Sequence, residues 1–236
     1  MQFEIQVINS VMVNSLPFAS FNDVKAYNSM SKTSQSKFYA DLVQSFIKIV
    51  DKKAVYYYNT ISKLWTSIDD MVYYNFVTDF FDESSKKLKN IKRDINAEYE
   101  GDLKTINTLI GLFDNKVYVN DIIDRSYSRL YDSAFLANLD NVRYYFPIQK
   151  GKMINCKTLE LYDRTESDYF SYESPVDFID GPTPNADRFF NEVMPNETSR
   201  EYLRTVLGYT LTTETCARVF LFGMEKDLMQ NHLLPD

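Results

Sequence analysis

The stretch Arg218-Val-Phe-Leu-Phe-Gly223 is a short apolar run closed by a glycine, the form a buried strand takes when it delivers a phosphate-binding loop. Such a loop needs glycines so that backbone N–H groups can wrap the phosphates, a lysine to reach them, and a Ser or Thr to hold magnesium. With Gly223 as the first glycine, Leu228, Met229 and Gln230 stand where the second glycine, the lysine and the hydroxyl residue belong. None of the three can do that chemistry. Gly223 therefore marks the start of a lost phosphate loop, and the thirteen residues from Met224 to Asp236 are too few for the helix and strands of an ATPase core. No catalytic residue, no cofactor-binding residue and no metal site is expected in this chain.

Other residues have chemistry to offer, each with a plainer reading beside it. Asp163, Glu166 and Asp168 could form a carboxylate set for two metal ions, yet their spacing matches no such site and they read as surface acids. His232, the single histidine, reads as a tail residue rather than an acid or base. Cys156 and Cys216 have no histidine near them in sequence, which indicates neither a zinc site nor a disulfide framework. Tyr56, Tyr57, Tyr58 and Trp65 could stack on exposed bases, but alternation across a hairpin would bury at least half of them, so they read as core. Lys86, Lys87, Lys89, Lys92 and Arg93 form a basic run with no acid among them. Positions 86, 89 and 93 share one helix face, while 87 and 92 do not. The run reads first as a solvated helix; its functional alternative is a salt-dependent contact with a phosphate backbone.

The elements that must position these residues follow from periodicity. Residues 1–35 read as an irregular lead segment, with Phe3, Ile5 and Val7 alternating at its start. Phe38, Leu42, Val43, Phe46, Ile47 and Val50 predict one helix begun by a Ser or Thr cap, with Lys52 and Lys53 at its negative end. Residues 54–68 predict an aromatic hairpin, Ala54 to Tyr58 and Lys63 to Ser67 flanking a turn. Asp69 can cap a helix carrying Val72, Phe76, Val77, Phe80 and Phe81 on one face. From Glu83 to Tyr131 two or three helices are expected, with Gly101 and Gly111 as candidate breaks.

Near Tyr144 the texture changes: five of the seven prolines lie between Pro147 and Pro195, and helical spacing disappears. A boundary is placed there, dividing a helical part, 36–143, from a loop-rich mixed part, 144–213. Short strands are expected at 152–155 and 159–162, and two compact helices near 186–194 and 197–207. The first would be capped by Asn185 and bury Phe189, Phe190 and Val193. The second would be capped by Asn196, bury Tyr202, Leu203, Val206 and Leu207, and end at Gly208. Residues 214–223 would form one strand, and 224–236 a divergent tail. The expected fold class is α+β.

Composition narrows the function. With 44% hydrophobic and 15% aromatic residues in 236, the chain can bury a good core. A net charge of −7 argues against a protein whose main business is coating nucleic acid, though a local patch could still touch it. The charge is uneven: residues 160–201 carry eleven acids against three arginines. No run of about eighteen apolar residues is present and Met1 to Ile5 lack a basic secretory start, so an intracellular, membrane-free protein without a small-molecule substrate is expected.

Several ordered motifs carry a resemblance. Pro147-Ile-Gln-Lys-Gly-Lys-Met-Ile-Asn-Cys-Lys-Thr-Leu-Glu160, Arg164 to Phe170, Phe189 to Val193, Tyr202 to Leu211 and Val219 to Gly223 resemble the poxvirus-type primase-helicases of nucleocytoplasmic large DNA viruses and related phage and plasmid primases. Upstream, Tyr56 to Asn59, Leu64-Trp65 and Phe135-Leu-Ala-Asn-Leu-Asp140 are similar to the same region, the domain that links an N-terminal primase to a C-terminal superfamily 3 helicase. The likeness covers roughly residues 36 to 223. It implies a role in viral DNA replication, in the host cytoplasm, for a truncated chain that keeps the linking domain. ATP, magnesium and hexameric rings belong to the full-length family. For this chain the implied role is binding of single-stranded or forked DNA, or of full-length primase-helicase subunits. The alternatives are a fragment of an active helicase whose catalytic part is encoded elsewhere, and a gene remnant.

Overall fold

A computed structural model describes residue 18 and residues 21–51, 54–94 and 100–212. The fold is α+β: the described residues hold eight α-helices and two three-stranded antiparallel sheets. The lead segment through residue 17, the expected strand with Arg218 and Gly223, Cys216, and the tail with His232 lie outside the described residues.

The part read as an irregular lead contains α1 (Phe21–Ser29) and the start of α2 (Lys32–Val43). Ser31 caps α2, its side chain accepting from the Ser34 amide. The helix expected to reach Val50 stops at Val43, and β1 (Ile47–Asp51) follows. The physical reason lies in Ile47-Lys-Ile-Val50, whose β-branched side chains favour the pleat and whose alternation buries Ile47 and Ile49 on one face. β1 pairs with β2 (Ala54–Asn59), and β2 with β3 (Leu64–Ile68), so the expected hairpin is the inner and far edge of a three-stranded sheet. Ile49 also bridges Tyr131, and the Asp132 amide donates to the Ile49 carbonyl at 2.9 Å.

Three long helices come next: α3 (Asp70–Asp94), α4 (Glu100–Phe113) and α5 (Lys116–Leu130). Gly101 and Gly111, read as candidate breaks, both lie inside α4. The break falls instead at Asn115, whose side chain accepts from the amides of Val117 and Tyr118 and so starts α5. Along α3 the buried side chains recur at Tyr73, Phe76, Val77, Phe80, Phe81 and Leu88, the stripe expected of a helix with one face in the core. α3 packs on α4, and α2 on α5. Phe81, Phe113 and Tyr118 meet edge to face or tilted at the centre, with Phe18 and Tyr27 beside them.

A buried polar network pins α1, α2 and α5 together. Tyr118 donates to Gln35 Oε1 at 3.0 Å, Gln35 Nε2 donates to the Tyr27 carbonyl at 3.2 Å, and the two phenol oxygens lie 3.2 Å apart. Burial pushes the phenols of Tyr118 and Tyr73 up to about 12, and that of Tyr27 well above the usual range. A raised folded-state pKa means that the native protein holds protons the unfolded chain has lost. Stability is therefore complete below about pH 10, the ordinary phenol value, and is lost as pH climbs toward 12, at about 1.4 kcal/mol per pH unit for each such phenol. Urea midpoints should hold steady up to about pH 9 and fall steeply above about pH 10. A flat midpoint through that range would refute the network as a neutral, buried assembly.

The second sheet is β4 (Tyr145–Ile148), β5 (Lys152–Asn155) and β6 (Leu161–Asp163), in that order. Pro147 sits on β4, an edge strand, where its missing N–H costs no interior ladder bond. A short helix, α6 (Phe135–Asn138), leads into this part, and α7 (Pro184–Val193) and α8 (Glu197–Thr210) close the described region. Pro184, not Asn185, opens α7, with Thr183 at the cap position. Asn196 caps α8 as expected, accepting from the Ser199 amide, whereas Gly208 lies within α8 rather than ending it.

Candidate nucleic-acid interface

The basic run lies on the last two turns and more of α3. Ser84, Ser85 and Leu88 turn inward, which leaves Lys86, Lys89 and Arg93 exposed along one outer stripe. Over seven residues the stripe spans about 10 Å of helix axis. Lys87 and Lys92 are half-buried to either side of it. Lys92 Nζ is taken up by Asn107 Oδ1 of α4 at 2.8 Å.

The stripe has acidic company. Lys86 pairs with Glu83 one turn earlier, which raises the lysine above its usual range and keeps its ammonium charged. Lys89 stands 3.9 Å from Asp114, which also accepts from Ser85 at 3.0 Å. In the Lys86–Glu83 pair the side chains are 66% and 45% exposed, and in Lys89–Asp114 they are 51% and 50% exposed. Ion pairs this wet are weak, so a phosphate can take a carboxylate's place. Cations at this end also suit the negative end of the helix, which by itself accounts for their placement.

The aromatic candidates are spent inside the protein. One face of the first sheet, with Ile47, Val55 and Tyr57, joins the helical core, while the other carries Tyr58 and Trp65 into a second cluster with Phe135. Tyr57, Tyr58 and Trp65 are buried and Tyr56 is half-buried, its ring 4.9 Å from that of Phe135. Both faces of the sheet are covered, so no stacking platform remains there.

The acids at 163–168 are engaged by neighbouring groups. Asp163 pairs with Lys63 at 3.3 Å, Asp168 accepts from the Thr165 amide at 2.7 Å, and the Glu166 carbonyl accepts from Trp65 Nε1 at 2.9 Å. Among the described residues no group of three or more His, Cys, Asp or Glu side chains is placed to hold a metal ion. Arg164, which in the sequence stands out only as the first residue of a motif, is the buried hub of the segment. Its side chain is wholly buried, Nη2 donates to the Ser62 carbonyl at 3.0 Å and to the Glu173 carboxylate, and Nη1 reaches the Tyr172 carbonyl. Gly151 lets this seam close: its φ is +67°, and a Cβ there would stand 2.8 Å from Lys63 Cδ. Asp140, at φ 57°, locks the other side by accepting from the Ser171 amide at 2.7 Å while its own amide donates to the Tyr169 carbonyl.

A cleft of about 890 Å³ opens between the start of α3 and α5, lined among others by Asp70, Tyr74, Lys116, Asn120, Asp124 and Tyr127. Burial, then Asp70 and Asp124, raises the Tyr127 phenol, the opposite of what a tyrosine base or nucleophile needs.

The C-terminal helices depart most from expectation. Of Phe189, Phe190, Val193, Tyr202, Leu203, Val206 and Leu207, all predicted to be buried, only Val206 is. Phe189 is 57% exposed, Val193 59% and Tyr202 64%. Each helix has the apolar side that its spacing requires, but most of that side stays exposed. Periodicity marks which side is apolar and cannot say whether a neighbour arrives.

No known protein-family model matches this chain, and no curated protein matches it either. Among the described residues no helix is long and apolar enough to cross a membrane.

Proposed function

We propose that this chain is a non-catalytic binding module of a viral DNA-replication assembly, equivalent to the domain that links primase and helicase in the poxvirus-type primase-helicases, acting in the host cytoplasm. Its partner is single-stranded or forked DNA, held by the phosphate backbone. The observation that carries the DNA contact is the stripe Lys86, Lys89 and Arg93, three exposed cations on one side of α3, with the ion pairs of Lys86 and Lys89 weak enough to exchange. Contact of this kind is indifferent to base sequence, and the chain's overall net charge of −7 keeps other faces away from the strand. ATP and magnesium belong to the helicase part of the family, since Leu228, Met229 and Gln230 leave this chain without a phosphate loop.

Labelled single-stranded and forked DNA at two salt concentrations test the proposal. Three phosphate contacts give a log–log salt slope of about −2 on single strands. Changing Lys86, Lys89 and Arg93 together to Gln should abolish binding, while Lys87→Gln with Lys92→Gln should leave most of it. Loss in both variants alike would mean diffuse attraction, and no binding by the unaltered chain would leave the stripe a solvated face.

A second reading, in which the chain binds full-length primase-helicase subunits, is favoured by the open apolar sides of α7 and α8.

A further inference from the structure

The cleft between the start of α3 and α5 is a groove with a charged group at each end. Its α5 wall carries Lys116, Asn120, Asp124 and Tyr127 at successive turns, over about 16 Å of helix axis. Asp70 and Tyr74, one turn apart on α3, stand opposite. The rings of Tyr73 and Tyr127 meet edge to face at 6.0 Å, which sets the start of α3 against the last turns of α5. Behind burial, Asp70 and Asp124 are what holds the Tyr127 phenol raised, so both carboxylates lie close to that ring. Asp70 suits the positive start of α3. Asp124 has no such reason, because it sits in the second half of α5, toward the helix's negative end. The cations nearest it in the fold, Lys32 and Arg125, are taken by Asp121 at 2.9 and 2.6 Å. Among the described residues no ion pair reaches Asp70, Asp124 or Lys116.

We propose that this groove docks an extended segment of a partner polypeptide, with an arginine or lysine side chain between Asp70 and Asp124 and an acidic side chain four residues away at Lys116. Charge complementarity names the occupant. Two carboxylates without internal partners beside a neutral tyrosine ring favour a cation, through ion pairing and the ring face together. Lys116 calls for the opposite charge at the far end. The eight helical residues from Lys116 to Asp124 span about 12 Å, and four residues of extended chain cover about 13 Å. Between the two ends, the Asn120 amide offers a donor and an acceptor to a passing backbone. A volume of about 890 Å³ suits a segment of several residues and is far more than one free ammonium fills. The site is independent of the DNA stripe, since Asp70 lies about 24 Å of helix axis from Lys86.

Fluorescence anisotropy with the full chain and a labelled, end-blocked peptide, Arg-Ala-Leu-Ala-Glu, tests it. The unaltered chain should bind the peptide saturably. Asp70→Asn with Asp124→Asn should weaken binding at least about tenfold, and Lys116→Gln about threefold. A peptide with Gln in place of Arg should bind weakly and no longer distinguish the unaltered chain from the double Asn variant. A peptide with Gln in place of Glu should be indifferent to Lys116→Gln. Glu192→Gln with Glu197→Gln, which removes two exposed acids of α7 and α8, should leave binding unchanged. If the loss of Asp70 disturbs the start of α3, Asp124→Asn alone reads the same end of the groove. Absence of saturable binding overturns the proposal. So does an equal loss in the Glu192/Glu197 variant, which would mean diffuse attraction to an acidic chain, and so does equally tight binding of free arginine amide, which would make a small amine the occupant.

Discussion

Replacing Arg164 with methionine is expected to destabilise the protein by about 3 kcal/mol, the lower end of the cost of removing one partner from a buried ion pair. The guanidinium side chain is wholly buried, whereas Glu173 keeps 31% of its side chain exposed, so water can compensate the carboxylate in part. The larger share of the loss comes from the carbonyls of Ser62 and Tyr172, which would face an apolar thioether. Arg164→Lys should recover only a fraction, because an ammonium cannot fork between Ser62 and Glu173 as the planar group does. Urea unfolding followed by circular dichroism measures both. A loss below about 1 kcal/mol in the methionine variant would show that the buried charge is dispensable and that packing alone holds the seam.

Trp65→Ala should cost more, about 3–5 kcal/mol, the range for truncating a large aromatic in a core that relaxes only partly. Trp65 is 1% exposed and its ring stands 5.4 Å from Tyr58, 5.1 Å from Phe135 and 6.4 Å from Tyr169. Its Nε1 holds the Glu166 carbonyl, and its backbone amide donates to the Phe170 carbonyl at 2.7 Å. Trp65→Phe separates the two contributions: it keeps most of the ring and gives up the indole hydrogen bond, so it should lose about 1–3 kcal/mol. Because Trp65 is the single tryptophan, circular dichroism and not fluorescence must follow unfolding. Equal losses in the two variants would place the whole effect in the hydrogen bond, contrary to the packing seen around the ring.

Arg164 and Trp65 also show how a motif that reads as family signature can be structural. Arg164 to Phe170, Leu64-Trp65 and Phe135 to Asp140 are far apart in sequence, yet they meet at one seam between the two sheets. Phe135 and Trp65 pack there, Asp140 accepts from Ser171, and Arg164 closes on Ser62. Residue types alone could mark Asp163, Glu166 and Asp168 as acids with metal-binding potential. Their use as an ion pair, a carbonyl acceptor and a capping carboxylate depends on what Lys63, Trp65 and Thr165 present to them.

The sequence by itself determined the α+β class, the aromatic hairpin, the inward stripe of α3 from Val72 to Phe81, and the Asn196 cap of α8. Each rests on local rules, namely side-chain period, β-branching and Asx capping, which act within a few residues of one another. Tertiary structure alone decided three other matters. It turned Ile47 to Val50 from a helix into a strand, since Tyr57 and Val55 offered a ladder that a helix could not use. It covered both faces of the hairpin, burying aromatic rings that one-sided alternation would have left partly free. It left Phe189, Val193 and Tyr202 exposed, because the burial of an amphipathic face depends on a neighbour that the face itself cannot specify.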